Sequence, residues 1–298
     1  MSTPTEQRSG VIYAVIAHLF WGAMAVYFGL IRYINPMEIA VHRALWSIPI
    51  GAAVAWFLGY LPKVWNVVCN ARLMALLFLT SILVVFNWTL YVWCITSGHT
   101  LDASLGYFIN PLMNVAVGFI FLGERFTRPQ MLAISLAVFA VMVVTFGTGV
   151  FPLIGLSLAA TFCLYGYLRK TMAVGPIEGF LVEVSLALLP LLAVNVYLAE
   201  KGELHFGHDM FSTLMLVGCG GFTAGALLFY SASLKLIRYS TAGLLQYLSP
   251  SIVFLTAVFW FGEKLDHWKL AGFAIIWLAL AIYSVAAVRE ELGVKAVA

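Results

Sequence analysis

Polar side chains that could bind a solute stand inside long apolar runs of this sequence. Asn87 and Tyr91 are four residues apart, and Tyr107, Asn110 and Asn114 follow one another at spacings of three and four. On a helix, residues at these spacings lie on one face. Amides and hydroxyls are costly in hydrocarbon unless they are paired or wetted. Each stripe therefore predicts either a binding surface or a set of bonds between helices.

A second set of polar and aromatic residues occurs later in the chain. Gln246 and Ser249 stand 139 residues after Tyr107 and Asn110, and Tyr247 lies beside them. The same shift places Tyr230 on Tyr91. Such groups can hold the amine and the carboxylate of a zwitterion by hydrogen bonds, without a fixed opposing charge. Aromatic residues, with Trp21 and Trp88 as the candidates, would hold an apolar side chain.

Two prolines and three ionisable residues inside the runs are candidates for gating and coupling. Pro111 and Pro250 each remove a backbone hydrogen bond, so they predict either a pair of gating bends or static kinks. Arg43 is the only basic residue well inside a run, and a shift of 140 places it on Glu183. Each lies about 10 Å deep from opposite faces, which argues against a direct pair. Glu183 is the best candidate for a proton-coupled carboxylate, with His42 and His18 as alternatives.

Enzymes and metal proteins are not indicated by any motif. The four cysteines are scattered without metal-ligand spacing, and the sequence contains no H-E-x-x-H, G-x-S-x-G or P-loop pattern. We therefore expect no catalytic residue, no metal and no cofactor. A channel would need a ring of equivalent polar groups, usually from several subunits, whereas these stripes come from different helices of one chain.

The elements that must position these residues follow from composition. Of the 298 residues, 63% are apolar and 10% are charged, against about 25% charged in a soluble protein. This excludes a soluble globule, a disordered chain and a nucleic-acid binder. Ten apolar runs are each long enough to cross about 30 Å of hydrocarbon as a helix. The first is too long for a signal peptide, and we expect it to remain. The runs are roughly 11–31, 36–58, 72–97, 102–122, 129–147, 152–172, 177–199, 211–236, 241–261 and 267–288.

The distribution of Lys and Arg predicts the orientation. With the N-terminus inside, eleven of the 16 basic residues fall on the cytoplasmic side and four on the other, with Arg43 inside a span. Cytoplasmic loops carry the basic excess, so we expect both termini in the cytoplasm.

An internal repeat divides the chain into halves of five helices, 1–149 and 150–298. The segment 103–125, ASLGYFINPLMNVAVGFIFLGER, aligns without gaps with 242–264, AGLLQYLSPSIVFLTAVFWFGEK. Because five is odd, the second half enters from the opposite face, so the repeats are inverted. Inverted repeats are typical of secondary transporters that work by alternating access. At the repeated Gly-Glu-Arg/Lys, Glu124 and Glu263 are expected to fix the turn into the next helix.

These motifs resemble the EamA-type exporters of the drug/metabolite transporter superfamily. The block LDASLGYFINPLMNVAVGFIFLGERF and the pair FWG and EIAVHRALWS resemble the RarD-like branch, which is related to the YddG-type amino-acid exporters. The resemblance implies a basket-shaped, all-α bundle of ten helices in the bacterial inner membrane. It implies export of amino acids or related small metabolites. It also implies a cavity lined by the first, third, fourth, sixth, eighth and ninth helices, which carry the stripes above.

The partners expected are a small-molecule substrate and membrane lipid, with no nucleic acid and with a monomer as the functional unit. The alternative function is proton-coupled export of lipophilic drugs, for which an acidic group in the cavity would hold a cation.

Overall fold

A computed structural model describes residues 4–96, 100–149, 153–259 and 267–291. These residues are almost entirely helical, and no strand occurs among them. The helices are α1 (Pro4–Leu30), α2 (Pro36–Phe57), α3 (Leu61–Val68), α4 (Ala71–Thr96), α5 (Thr100–Leu122), α6 (Arg128–Thr148), α7 (Leu153–Thr171), α8 (Pro176–Glu200), α9 (Met210–Leu236), α10 (Tyr239–Leu245), α11 (Leu248–Phe259) and α12 (His267–Glu291).

Six of these helices are long and apolar enough to cross a membrane. They are α1, α2, α4, α6, α8 and α9. Two more, α5 and α12, contain the shorter apolar stretches Ile109–Leu122 and Leu270–Tyr283. The all-helical class predicted from composition is confirmed for the described residues. The number of ten spans and the side of each terminus stay predictions.

Local sequence explains where the second helix of each predicted half begins. Pro36 and Pro176 open α2 and α8, and proline suits the first helical position because its missing N–H would have no partner there. At α2 the Asn35 side chain accepts a hydrogen bond from the Met37 amide at 3.0 Å. At α8 the Glu178 carboxylate accepts one from the Gly175 amide at 2.9 Å. Apolar runs bounded by such signals predict these boundaries to within a residue.

Two local features differ from the sequence prediction. A short helix, α3, occupies the connection between α2 and α4, with Trp65 68% exposed. The span predicted at 241–261 begins at Tyr239 and is interrupted between α10 and α11. The interruption precedes Pro250, which has no N–H and crowds the carbonyl of Gln246 four residues earlier. In contrast, α5 is continuous through Pro111.

The helices of the two predicted halves pack mainly against one another. The first helix, α1, lies against α9 and α11, and α2 lies against α8 and α9. In the same way α5 contacts α7 and α10, and the final helices α6 and α12 pair. The polar residues on these helices therefore face the boundary between residues 1–149 and 150–298.

A glycine permits the closest approach of α2 and α9. A Cβ atom built on Gly220 would lie 2.4 Å from the backbone carbonyl carbon of Trp46, which is too close for any other residue. A Cβ on the neighbouring Gly221 would meet only Ile50, at 4.0 Å. Gly221 and Gly225 form a G-x-x-x-G pattern on α9. Of these two glycines only Gly225 is crowded, by the ring of Phe20 on α1.

Candidate functional site

Two asparagines of the predicted stripes hold α4 and α5 against α7. The Asn87 amide donates to the Leu158 carbonyl at 2.9 Å and to the Thr161 hydroxyl at 3.0 Å. The Asn110 amide donates to the Ala159 carbonyl at 3.1 Å. The side-chain oxygen of Asn110 is buried and has no hydrogen-bond partner among the described residues. Asn110 thus joins helices through its nitrogen and leaves an acceptor free.

Asn114 and Gln246 form a bond between the halves. The Asn114 amide donates to the Gln246 side-chain oxygen at 2.9 Å, and both residues are buried. The Asn114 oxygen is a second buried acceptor that lacks a partner in the described part of the chain. This pair fixes α5 to the interruption between α10 and α11. Tyr247, beside Gln246, is 1% exposed.

His18 on α1 carries a third free acceptor. The Ser249 hydroxyl donates to the His18 carbonyl at 3.1 Å and lies 3.1 Å from His18 Nδ1. A hydroxyl has one proton, so the tautomer that satisfies both contacts has Nδ1 donating to Ser249 and Nε2 as an acceptor. His18 is 0% exposed, and its Nε2 has no partner within the described ranges.

Aromatic rings surround His18. Trp21 lies 5.2 Å from the His18 ring, 5.3 Å from Tyr230 and 5.7 Å from Phe162, measured between ring centroids. Phe162 and Tyr230 are 5.6 Å apart. The Tyr230 hydroxyl is buried without a partner among the described residues. The predicted residues Trp21, Tyr230 and Ser249 therefore meet around one histidine, where α1, α7, α9 and α11 converge.

A second group of predicted residues surrounds Arg43. The guanidinium carbon lies 4.4 Å from the Trp88 ring centroid, and Nε donates to the Thr223 hydroxyl at 3.1 Å. Tyr91 and Tyr107 are in edge contact at 5.3 Å, and Tyr107 is 39% exposed. Arg43 thus contacts a hydroxyl and aromatic rings.

His42 belongs to a different neighbourhood. Its Nδ1 accepts a hydrogen bond from the Trp46 indole at 3.0 Å, and its ring stacks on Phe206 at 4.6 Å. Phe206 lies in the connection between α8 and α9. His42 therefore packs beneath this connection, away from the His18 cluster.

Glu183 is buried beside Arg169, which the count of Lys and Arg placed among the basic residues of the cytoplasmic side. Glu183 is 1% exposed and accepts from the Tyr165 hydroxyl at 3.1 Å, whereas its Oε1 has no partner among the described residues. Arg169, 0% exposed, lies close enough to interact with this charge. Its Nη2 donates to the Pro176 carbonyl at 3.3 Å. Arg169 was missed because it stands beside Lys170 at the end of an apolar run, where a basic pair is typical of an exposed helix end. Arg43 and Glu183 do not pair, as their depths predicted.

Carboxylates tie the helix ends to the opposite half. Glu124 accepts from the Tyr239 amide at 2.6 Å, from the Ser240 amide at 3.0 Å and from the Ser240 hydroxyl. It therefore joins the end of α5 to the start of α10, in addition to the turn that we expected it to fix. Its repeat counterpart Glu263 lies outside the described residues.

Glu38, at the start of α2, binds the connection between α8 and α9. It accepts from the His205 and Phe206 amides, each at 2.8 Å, and lies 3.1 Å from His205 Nδ1. Glu38 is 0% exposed. The carboxylate thus anchors a polar segment that has no helix of its own.

Two lysines cap each other's helices. Lys170 donates to the Leu234 and Ile237 carbonyls at 2.9 and 2.6 Å. Lys235 donates to the Lys170 and Met172 carbonyls at 3.1 and 2.7 Å. Because the last carbonyls of a helix lack intrahelical partners, this exchange satisfies the ends of α7 and α9 together.

No group of three or more His, Cys, Asp or Glu side chains in the described ranges could hold a metal ion. The chemistry that the described residues make available is reversible binding, through buried acceptors, aromatic faces and the Arg43 guanidinium inside a bundle of apolar helices. Such a bundle, with polar groups at the boundary of its two halves, defines a helical membrane transporter.

Comparison with known proteins identifies the family. The EamA-like transporter family model matches residues 8–146 and 149–285, so the chain belongs to this family. It is 38% identical to the protein RarD of Escherichia coli, over 96% of this chain and 97% of that protein. It is 39% identical to an uncharacterized transporter of Pseudomonas aeruginosa, over 95% of each. Because its relatives are transporters, the chain is an integral membrane transporter and not an enzyme.

A solved structure shares the fold. A protein described only as a crystal structure superposes with a TM-score of 0.73 at 16% identity, covering 94% of this chain and 99% of the other. At this identity the likeness concerns the fold alone. A further relative, the chloramphenicol-sensitive protein RarD of Pseudomonas aeruginosa, is 31% identical over 92% of each chain.

Proposed function

We propose that this transporter exports amino acids or related small metabolites across the bacterial inner membrane by alternating access. Residues 1–149 and 150–298 act as inverted repeats of five helices each, with both termini in the cytoplasm. One chain is the functional unit. The solute binds at the boundary of the repeats, between the His18 cluster and the asparagines of α5.

The observation that carries this proposal is the set of buried acceptors without donors. They are His18 Nε2, Asn110 Oδ1 and Asn114 Oδ1. A buried acceptor left unpaired is unfavourable by about 1–3 kcal/mol. A protonated amine brings three N–H donors and no acceptor, so an amino acid would satisfy groups that the described residues leave unpaired.

The aromatic cluster supports an apolar or mixed side chain on that solute. The aromatic rings of Trp21, Phe162 and Tyr230 lie around His18. Such rings bind apolar side chains mainly through contact area, so they do not require one particular side-chain shape. The Tyr230 hydroxyl adds a donor that no described residue accepts from. A site of this kind accepts several amino acids rather than one.

Mirrored contacts support the inverted repeats. Arg43 on α2 donates to Thr223 on α9 at 3.1 Å. In the second half Glu183 on α8 aligns with Arg43, and it interacts with Thr80 on α4 of the first half. In both directions, the second predicted span of one half therefore contacts the third predicted span of the other, as expected of two related units.

Counterflow in liposomes tests the proposal. Vesicles containing the purified protein are loaded with one unlabelled amino acid, and the entry of labelled Thr, Met, Phe, Lys or a lipophilic drug is measured without a pH gradient. We expect counterflow of neutral amino acids, strongly reduced in Asn110→Ala and unchanged in Asn66→Ala, an exposed residue of α3. Flux of the drug alone, or flux only under a pH gradient, would reject the assignment.

Proton-coupled drug export is the second candidate, and one observation favours it. Glu183 is buried with Oε1 unpaired among the described residues, so it could exchange a proton for a lipophilic cation. Under this alternative, flux requires a pH gradient and Glu183→Gln abolishes that requirement. Under amino-acid export, counterflow needs no pH gradient in the wild type. In Glu183→Gln its rate should change, but it should still need no pH gradient.

A further inference from the structure

Arg43 is a buried cation without an anionic partner. It is 6% exposed, and no carboxylate of the described residues lies within 4.0 Å of its guanidinium. Its only hydrogen bond among these residues runs from Nε to Thr223. The two terminal nitrogens, with four N–H donors, have no hydrogen-bond partner in the described part of the chain.

Aromatic rings hold the guanidinium without neutralising it. Its carbon lies 4.4 Å from the Trp88 centroid and 5.6 Å from that of Phe28. Cation–π contact stabilises a desolvated cation, but a ring offers no carboxylate or carbonyl oxygen to the terminal nitrogens. Their N–H groups therefore have no hydrogen-bond acceptor among the described residues, and a guanidinium presents them in a fork that matches a carboxylate.

The buried carboxylates on neighbouring helices are engaged elsewhere. Glu38, on the same helix as Arg43, binds the His205 and Phe206 amides. Glu183 on α8 accepts from Tyr165 and lies beside Arg169. A buried charge is strongly unfavourable when it is unpaired. An anion bound from outside the chain would remove this unfavourable energy at Arg43.

The Arg43 guanidinium lies near two tyrosines of the predicted polar stripes, one of which is exposed. Tyr91 and Tyr107 are close enough to interact with the Arg43 charge, and Tyr107 is 39% exposed. On α4, Trp88 adjoins Asn87, which bonds to α7 at Leu158. Arg43 therefore borders the same boundary between halves as the free acceptors.

We propose that Arg43 binds the carboxylate of the transported solute through its terminal nitrogens, with Thr223 and Trp88 as positioning residues. This inference rests on the proposed function and narrows it, because the solute must carry a carboxylate. The unpaired acceptors would bind the amine of the solute, and Arg43 would bind its carboxylate. The sequence predicted a zwitterion site without a fixed opposing charge, whereas Arg43, in contact with Trp88 and Thr223, would supply one.

Paired ligands that differ only in the acid group test this inference. Stabilisation of the detergent-solubilised protein against thermal unfolding is titrated with amino acids, simple mono- and dicarboxylates, and the carboxamides of the same amino acids. In the wild type we expect the acids to bind about tenfold to a hundredfold more tightly than the amides. Arg43→Gln should remove this preference, and Arg43→Lys should restore part of it because it keeps the charge but not the fork.

Two further variants keep the test decisive. Thr223→Val removes the bond that orients the guanidinium, so it should weaken binding of acids severalfold and leave amides unchanged, even if Arg43→Gln does not fold. The control is Lys63→Gln, which removes an exposed positive charge on α3. It should change neither the binding of acids nor the binding of amides.

The outcomes separate the two proposals. Equal binding of acid and amide by the wild type, binding of no carboxylate in the panel, or a preference that survives in Arg43→Gln would overturn the role of Arg43. Preferential binding of acids without counterflow would retain the carboxylate site and reject amino-acid export.

Discussion

The bond between Glu124 and the start of α10 gives the sharpest prediction of stability. The Glu124 side chain is 7% exposed and accepts from two backbone amides and one hydroxyl. Hydrogen bonds to a charged group contribute about 1.5–3 kcal/mol each. In Glu124→Gln one oxygen becomes an NH2 group that faces donors, so the bonds of that oxygen are lost. Because adjacent bonds are not additive, we expect a loss of about 2–4 kcal/mol.

Unfolding of the purified protein in mixed micelles of dodecyl maltoside and SDS measures this loss. A decrease of about 2 kcal/mol corresponds to roughly a thirtyfold change in the unfolding equilibrium constant. The matched control is Glu203→Gln, because Glu203 is exposed and its carboxylate accepts a single hydrogen bond within the described ranges, from the Asn35 amide at 2.9 Å. The control should change stability by less than about 0.5 kcal/mol.

A double-mutant cycle with Ser240→Ala tests the cause. If the carboxylate acts through Ser240, the two substitutions together should destabilise the protein by clearly less than the sum of their separate effects. The reasoning is refuted if Glu124→Gln behaves like the Glu203 control, or if the effects of Glu124→Gln and Ser240→Ala are additive.

Three other predictions follow from contacts elsewhere. Glu38→Gln should speed hydrogen exchange at the two loop amides that the carboxylate binds by about tenfold or more, as mass spectrometry of that peptide would show. Gly220→Ala should lower the free energy of unfolding by about 1–3 kcal/mol, whereas Gly221→Ala, which has room for a Cβ, should not lower it. The bond from Ser212 to Asp209 holds the pKa of Asp209 below its usual range, so protection of the first turn of α9 should persist at neutral pH and decrease as the pH falls through that lowered value. Asp209→Asn should make this protection independent of pH.

Helix boundaries were predictable where one local signal decides them. Pro36 and Pro176 each follow a polar break and precede an apolar run, so the starts of α2 and α8 could be located from the sequence. The interruption before Pro250 was predictable as a bend at that residue, but Pro111 gave the same signal within a continuous helix. Whether a proline interrupts a helix depends on the neighbours that its freed carbonyl finds, and a sequence does not specify these neighbours.

The candidate site was predictable as a set of residues but not as contacts. Spacing placed Asn110 and Asn114 on one face, but it could not show that their nitrogens bond to α7 and Gln246 while their oxygens stay free. Arg43 was recognised as an unusual charge, although its partners Thr223 and Trp88 lie on other helices at unrelated positions in the chain. Arg169 was misplaced because hydropathy does not distinguish a helix end that faces lipid headgroups from one buried by α8 and α9.

The hydrogen bonds that Lys170 and Lys235 exchange between α7 and α9 make the C-terminal ends of these helices a chemical reporter. While Lys170 and Lys235 donate to backbone carbonyls of the opposite helix, their amines are partly buried and occupied by these bonds, so they should react slowly with reagents in solution. An acylating reagent should then label exposed Lys63 and Lys201 first. When α7 and α9 separate, both amines are released at once. The rate at which the two sites become labelled together would therefore measure how often the C-terminal ends of α7 and α9 separate.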